Sequence, residues 1–166
     1  MCIRDSPGPA CVIVDVRMPG INGMDLQTLL IQRRRKEQLV FITGHGNISM
    51  CAQAMKAGAV DFLTKPFRAN ELLECVDRAL ARAAEQRRRG VEKTEARRLL
   101  DLLTPREFEV MQLVIAGLLN KQIAAELGTA EKTIKVHRGR VMAKLEVHSV
   151  AELVRMTERA GMHPAG

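Results

Sequence analysis

Apolar positions in the first half of the chain fall in short, nearly unbroken runs: Cys11–Val14, Leu39–Ile42 and Val60–Leu63. Each run is followed by a stretch in which apolar residues recur at helical spacing. Runs of four to six residues without polar alternation suit strands buried on both faces, as in a parallel sheet covered by helices. The pattern predicts three strand–helix units: 11–15 with 24–35, 39–43 with 47–57, and 60–64 with 70–87. From Leu103 onward the periodicity is purely helical. Thr104-Pro105-Arg106-Glu107 has the form of a capping box with Pro at the first helical position. The helix it starts carries Phe108, Val110, Met111, Val114 and Ile115 and stops at Gly117. A second helix spans Lys121 to Leu127 and stops at Gly128, and a third spans Glu131 to Leu145. Ser149 and Glu152 cap a fourth that ends near Gly161. Four helices with a tight glycine-containing turn between the second and third describe a helix-turn-helix bundle.

The expected organisation is therefore a partial α/β domain with three parallel strands at 11–85 and an all-α domain at 101–166. Residues 1–10, which carry Pro7, Gly8 and Pro9, read as a lead-in. Residues 86–100 read as a charged, partly helical linker.

Composition sharpens this picture at a few points. Hydrophobic residues make up 46% of the 166 residues and aromatics only 2%, so the cores must be aliphatic and Met-rich. Lys and Arg outnumber Asp and Glu by 11 to 9 before residue 86 and by 15 to 10 after it. The excess on the C-terminal side points toward nucleic acid or an anionic surface, the alternative being a solvated basic face. Cys2, Cys11, Cys51 and Cys75 lack metal-ligand or framework spacing, which fits a reducing cytoplasm, and Cys11, Cys51 and Cys75 lie in apolar runs or helical patterns that suit small core residues. No apolar stretch has the length of a transmembrane helix, and no signal-peptide layout is present.

Two places carry candidate chemistry. Asp15, Thr43 and Lys65 close the three apolar runs, so a carboxylate, a hydroxyl and an ammonium converge at the C-terminal edge of an open sheet. That set suits uptake of a phosphoryl group, because a carboxylate is a useful nucleophile only where cations offset the incoming charge. Singly, a strand-end Asp or Lys is more often a cap or a solvated end, and it is their joint spacing that carries the reading. An aspartate-nucleophile phosphotransferase or phosphatase of the haloacid-dehalogenase type is an alternative, but such enzymes place a second Asp two residues on, where this chain has Arg17. The second place is the helix 131–145. At 100° per residue, Ile134, Val141 and Leu145 share one side, flanked by His137, Arg138 and Met142. The other side collects Lys132, Lys135, Val136, Gly139, Arg140 and Ala143. Cations interleaved with small or apolar residues suit a major groove. Gly139 on that face lets the helix axis approach closely. Lys121, Thr133 and His137 are candidate phosphate contacts, and His137 is equally placed to border the core. A protein-interaction module with an acidic partner is the alternative to DNA.

Residues 104–107, Gly117 to Ala124, Lys132 to His137 and Lys144-Leu145 resemble the output domain of LuxR-type transcription factors. That family usually has Ser where this chain has Ala130, leaving Thr129 as the candidate cap. Residues 11–85, through Asp15, Met18-Pro19, Gly23, Thr43-Gly44 and Lys65-Pro66, resemble the receiver domain of two-component response regulators of the FixJ/NarL class. The resemblance implies that a histidine kinase phosphorylates Asp15, which makes the chain a DNA-binding response regulator and not an enzyme. It implies that Asp15 and the Arg17 backbone carbonyl are Mg²⁺ ligands, that Thr43 and Lys65 hold the phosphoryl group, and that Phe62 rearranges with Thr43. It implies a homodimer on activation, through helix 47–57 and strand 60–64, bound to double-stranded DNA. Receivers have a five-stranded, flavodoxin-like sheet, so the chain reads as N-terminally truncated, with Met1–Ser6 non-native. The expectations that follow are poor Mg²⁺ binding, weak phosphorylation and an open strand edge at 11–15.

Overall fold

The computed structural model describes residues 8–33, 35, 37–44 and 48–163. The expected lead-in at 1–10 lies mostly outside the described residues, as does the predicted helix start at Asn47. The chain divides into two compact units, Met1–Arg88 and Arg89–Gly166.

In the first unit β1 (Cys11–Asp15), β2 (Gln38–Thr43) and β3 (Asp61–Thr64) form a parallel sheet in the order β1-β2-β3. The register pairs Asp15 with Ile42 and Thr43 with Thr64, so the three C-terminal strand ends lie in line. The helices α1 (Gly23–Gln32) and α2 (Ile48–Lys56) alternate with these strands. One hydrophobic cluster holds Val14, Val16, Leu30, Leu39, Phe41, Ala54 and Ala59; a second, smaller one holds Val40, Cys75 and Ala79. The buried Gln27 side chain donates to the Ala54 carbonyl at 3.0 Å, which satisfies both groups between α1 and α2. Among the described residues β1 is an edge strand, and Ile13 on it is 45% exposed.

Residues 86–100, expected as a charged and partly helical linker, are helical throughout. α3 runs from Ala69 to Leu100 without interruption. Its charged middle is supported by Glu85–Arg88 and Glu95–Arg98 pairs at i,i+3 spacing. Ala96 and Leu100 are buried in the core of the second unit, so that core begins before residue 101.

The second unit continues with α4 (Pro105–Ile115), α5 (Asn120–Glu126), α6 (Glu131–Lys144) and α7 (Val150–Ala160). The capping box at Thr104 and Glu107 is formed, and Ser149 caps α7. Met111, Val110, Ile123, Ile134, Val141, Leu145 and Leu153 are almost wholly buried and form one aliphatic core. Thr129 does not supply the cap expected of it. The N-cap of α6 is Ala130, with no side-chain hydrogen bond. The Thr129 amide donates instead to the Ala124 carbonyl at 2.9 Å and so closes α5.

Candidate functional site

Lys65 and Asp15 stand fifty residues apart in sequence and touch. Lys65 Nζ donates to Asp15 Oδ2 at 2.7 Å, and the Arg17 amide donates to Oδ1 at 2.9 Å. The Lys65 hydrogen bond, followed by that of Arg17, holds the Asp15 carboxyl below the usual carboxylate range. Thr43 is buried at the end of β2, and its carbonyl accepts the Lys65 amide at 2.7 Å. Phe62 packs beside Phe41 with ring centroids 6.2 Å apart. Gly23 lets α1 start directly behind this edge. Its amide donates to the Val16 carbonyl at 3.0 Å. A Cβ there would stand 2.8 Å from the Asp15 carbonyl oxygen and 2.8 Å from Val14 Cγ1.

Receivers typically use Mg²⁺, and the described residues that could hold it are few. They offer the Asp15 carboxylate, both of whose oxygens already accept hydrogen bonds, and the Arg17 carbonyl. Among the described residues no three His, Cys, Asp or Glu side chains cluster to hold a metal ion. Mg²⁺ is usually held by one or two carboxylates, with water completing its octahedron.

In the second unit α6 divides its residues as its periodicity requires. Ile134 and Val141 are buried, with His137, Arg138 and Met142 half-buried beside them. Lys132, Thr133, Lys135, Val136, Gly139, Arg140 and Ala143 are exposed, Val136 at 47%. Lys121 is exposed in the first turn of α5. His137 Nδ1 is buried and has no hydrogen-bond partner among the described residues, so that side of the ring is turned into the protein. Lys135 lies 3.5 Å from Glu131, a solvent-exposed pair that contributes little. The added Cβ of an alanine at Gly139 would meet nothing within 4 Å.

Three contacts around α5 and α6 have no local signal in the sequence. Arg138 Nη1 donates to Asn120 Oδ1 at 3.0 Å, Arg106 Nη2 donates to the Leu127 carbonyl at 2.8 Å, and Lys144 Nζ meets Glu107 at 2.6 Å. Glu107 is 3% exposed. The Lys144 hydrogen bond, and then the Thr104 amide, pull its carboxyl down to about 2. Only tertiary packing brings these residues together.

Comparison with known proteins decides the family. Residues 3–77 match the response regulator receiver domain, and residues 101–157 match the luxR family of bacterial regulatory proteins. Nodulation protein W of Bradyrhizobium diazoefficiens is 50% identical over 155 residues, covering 92% of this chain and 67% of that protein. The chain belongs to the response regulators with a LuxR-type DNA-binding domain. Response regulator protein TodT of Pseudomonas putida is 46% identical over 149 residues, 90% of this chain and 66% of TodT. Transcriptional regulatory protein FixJ of Azorhizobium caulinodans is 41% identical over 155 residues, 93% of this chain and 74% of FixJ. The chain thus spans about two-thirds of the length of these regulators. The solved structure of response regulator StyR superposes with a TM-score of 0.75 at 47% identity, covering 90% of this chain and 75% of StyR. No described helix of this response regulator is long and apolar enough to cross a membrane.

Proposed function

We propose that the chain is a cytoplasmic transcriptional regulator, and that it reads double-stranded DNA with the exposed face of α6. The observation that carries this reading is the composition of that face: Lys132, Lys135 and Arg140 interleave with Val136 and Gly139, opposite a wholly buried stripe. Val136 and Arg140 suit base edges, the first against a thymine methyl and the second against guanine acceptors. Lys121, Lys132, Thr133 and Lys135 suit phosphates, with His137 at the border between that face and the core. Selection of binding sequences from a random duplex pool tests the assignment. Val136→Ala and Arg140→Ala should relax the selected sequence, whereas Lys121→Ala should weaken all sequences alike. Unchanged selectivity in both of the first two variants would refute the readout assignment.

We infer that Asp15 is the acceptor for a phosphoryl group from a histidine kinase, with Lys65 and Thr43 as its partners and dimerisation through α2 and β3 as the response. The contact of Lys65 with Asp15 at the edge where Thr43 also ends supports this. Phosphorylation should be weak, because both Asp15 carboxylate oxygens already accept hydrogen bonds, from Lys65 and from the Arg17 amide. Incubated with acetyl phosphate and Mg²⁺ and followed by intact mass, the chain should stay largely unmodified. Stoichiometric acyl phosphate on Asp15, lost in Asp15→Asn, would overturn that expectation.

A further inference from the structure

The helix α5 is seven residues long, well short of the roughly 12–15 that make an isolated helix even marginally stable in water. Burial of Ile123 and Ala124 anchors its middle. Its two ends are held by arginines that belong to other helices. At the N-terminal end, the part-buried Arg138 of α6 donates from Nη1 to the Asn120 side chain at 3.0 Å. At the C-terminal end, Arg106 in the first turn of α4 donates from Nη2 to the carbonyl of Leu127, the C-cap residue, at 2.8 Å. A guanidinium at a helix C-terminus satisfies a carbonyl that has no partner within the helix, and it meets the negative end of the helix dipole. Asn120 immediately precedes Lys121, and Leu127 immediately precedes Gly128, which turns the chain toward α6 at a φ of +61°. The two arginines therefore grip the segment that sets both the position of Lys121 and the elbow between α5 and α6.

We propose that Arg106 and Arg138 are positioning residues of the DNA interface. Neither needs to touch DNA: they fix the angle at which Lys121 and the exposed face of α6 meet a duplex. Arg138 acts through Asn120, and Arg106 through the Leu127 carbonyl. The proposal rests on the DNA-binding reading above. It adds that a loss at either arginine is a loss of geometry and not of a phosphate contact.

A double-mutant cycle on the full chain tests this, using fluorescence anisotropy with a random-sequence duplex across a range of salt concentrations. Arg138→Met and Asn120→Ala should each weaken binding by about tenfold, the size of one charge-assisted hydrogen bond lost. The double variant should lose no more than the weaker-binding single variant. Arg138→Lys with Asn120→Asp, which restores a charged pair, should recover part of the loss. Arg106→Met should weaken binding while Glu109→Gln, which removes only the exposed partner of Arg106, should not. Hydrogen exchange in α5 should accelerate in Arg106→Met and Arg138→Met while α7 stays protected, a readout that needs no DNA. Losses at Arg138 and Asn120 that multiply independently, or an Arg138→Met effect matched by Asn120→Ala having none, would make Arg138 a direct phosphate contact and overturn the proposal. Wild-type chain that fails to bind any duplex would remove the DNA reading itself, a result separate from variants that bind as wild type does.

Discussion

Glu107 carries two roles in one carboxylate: it closes the capping box of α4 by accepting the Thr104 amide, and it pairs with Lys144 of α6. Its folded-state value of about 2 lies below the ordinary 4.5 of an exposed glutamate. Depression of an acid means that its stabilising contribution is complete above the unfolded value and fades as pH falls from about 4.5 toward 2. Glu107→Gln should therefore destabilise the second unit by roughly 1–2 kcal/mol at pH 7, the range expected for a lost cap and a charged hydrogen bond. Urea melts of both proteins at pH 7 and pH 3 check this, and the gap between them should narrow at pH 3. A gap independent of pH would show that the charge on Glu107 contributes nothing. Cap residues such as Thr104 and Glu107 are legible because they act over three positions of sequence. The reach of Lys144 back to Glu107 spans 37 residues and left no mark in the local pattern. The same contrast holds in the first unit. There Asp15, Thr43 and Lys65 are legible as strand ends, but the crowding that demands glycine at position 23 shows only once Val14 and Phe41 are placed around it.

The helix α6 is the element whose faces its sequence divides most plainly. Ile134 and Val141 recur at a spacing of seven, and the structure buries both. α3 shows the opposite. Between Ala83 and Ala96 no residue of the chain is a buried hydrophobic, so the apolar stripe that announces a helix vanishes while the helix continues. Good helix formers and i,i+3 ion pairs carry it through that stretch, and a dense run of charges reads as linker only because periodicity is the usual signal. α6 starts at Glu131, as its pattern predicts, and only its cap differs. A cap was expected from Thr129 because Ala130 cannot supply one, yet the backbone places Ala130 at the N-cap and turns the Thr129 amide toward α5. Gly139 tests what the exposed face of α6 is for. Gly139→Ala meets no neighbouring atom, so the substitution should stabilise the helix by about 1 kcal/mol. If the face approaches DNA, the same change should weaken duplex binding. A thermal melt together with an anisotropy titration decides, and a stabilised variant with unchanged affinity would mark the face as merely solvated.

Across the whole molecule, charge and chemistry are partitioned between the two units. The first brings an aspartate and a lysine into contact at a sheet edge; the second presents an exposed basic helix face over an aliphatic core. The three parallel strands and the four helices of the second unit follow from apolar patterning, because each element must bury a continuous surface. What patterning does not contain is the set of long-range polar contacts in the second unit (Lys144 to Glu107, Arg138 to Asn120, Arg106 to Leu127) that hold its helices in shape. The most direct test of the account is the salt dependence of duplex binding by the full chain. The logarithm of the association constant should fall linearly with the logarithm of salt concentration, by roughly 0.9 per phosphate contacted. Replacing Lys132 and Lys135 together by alanine should flatten that slope by about 2. A response already flat in the wild-type chain, or a slope untouched by removing both lysines, would contradict DNA binding through α6.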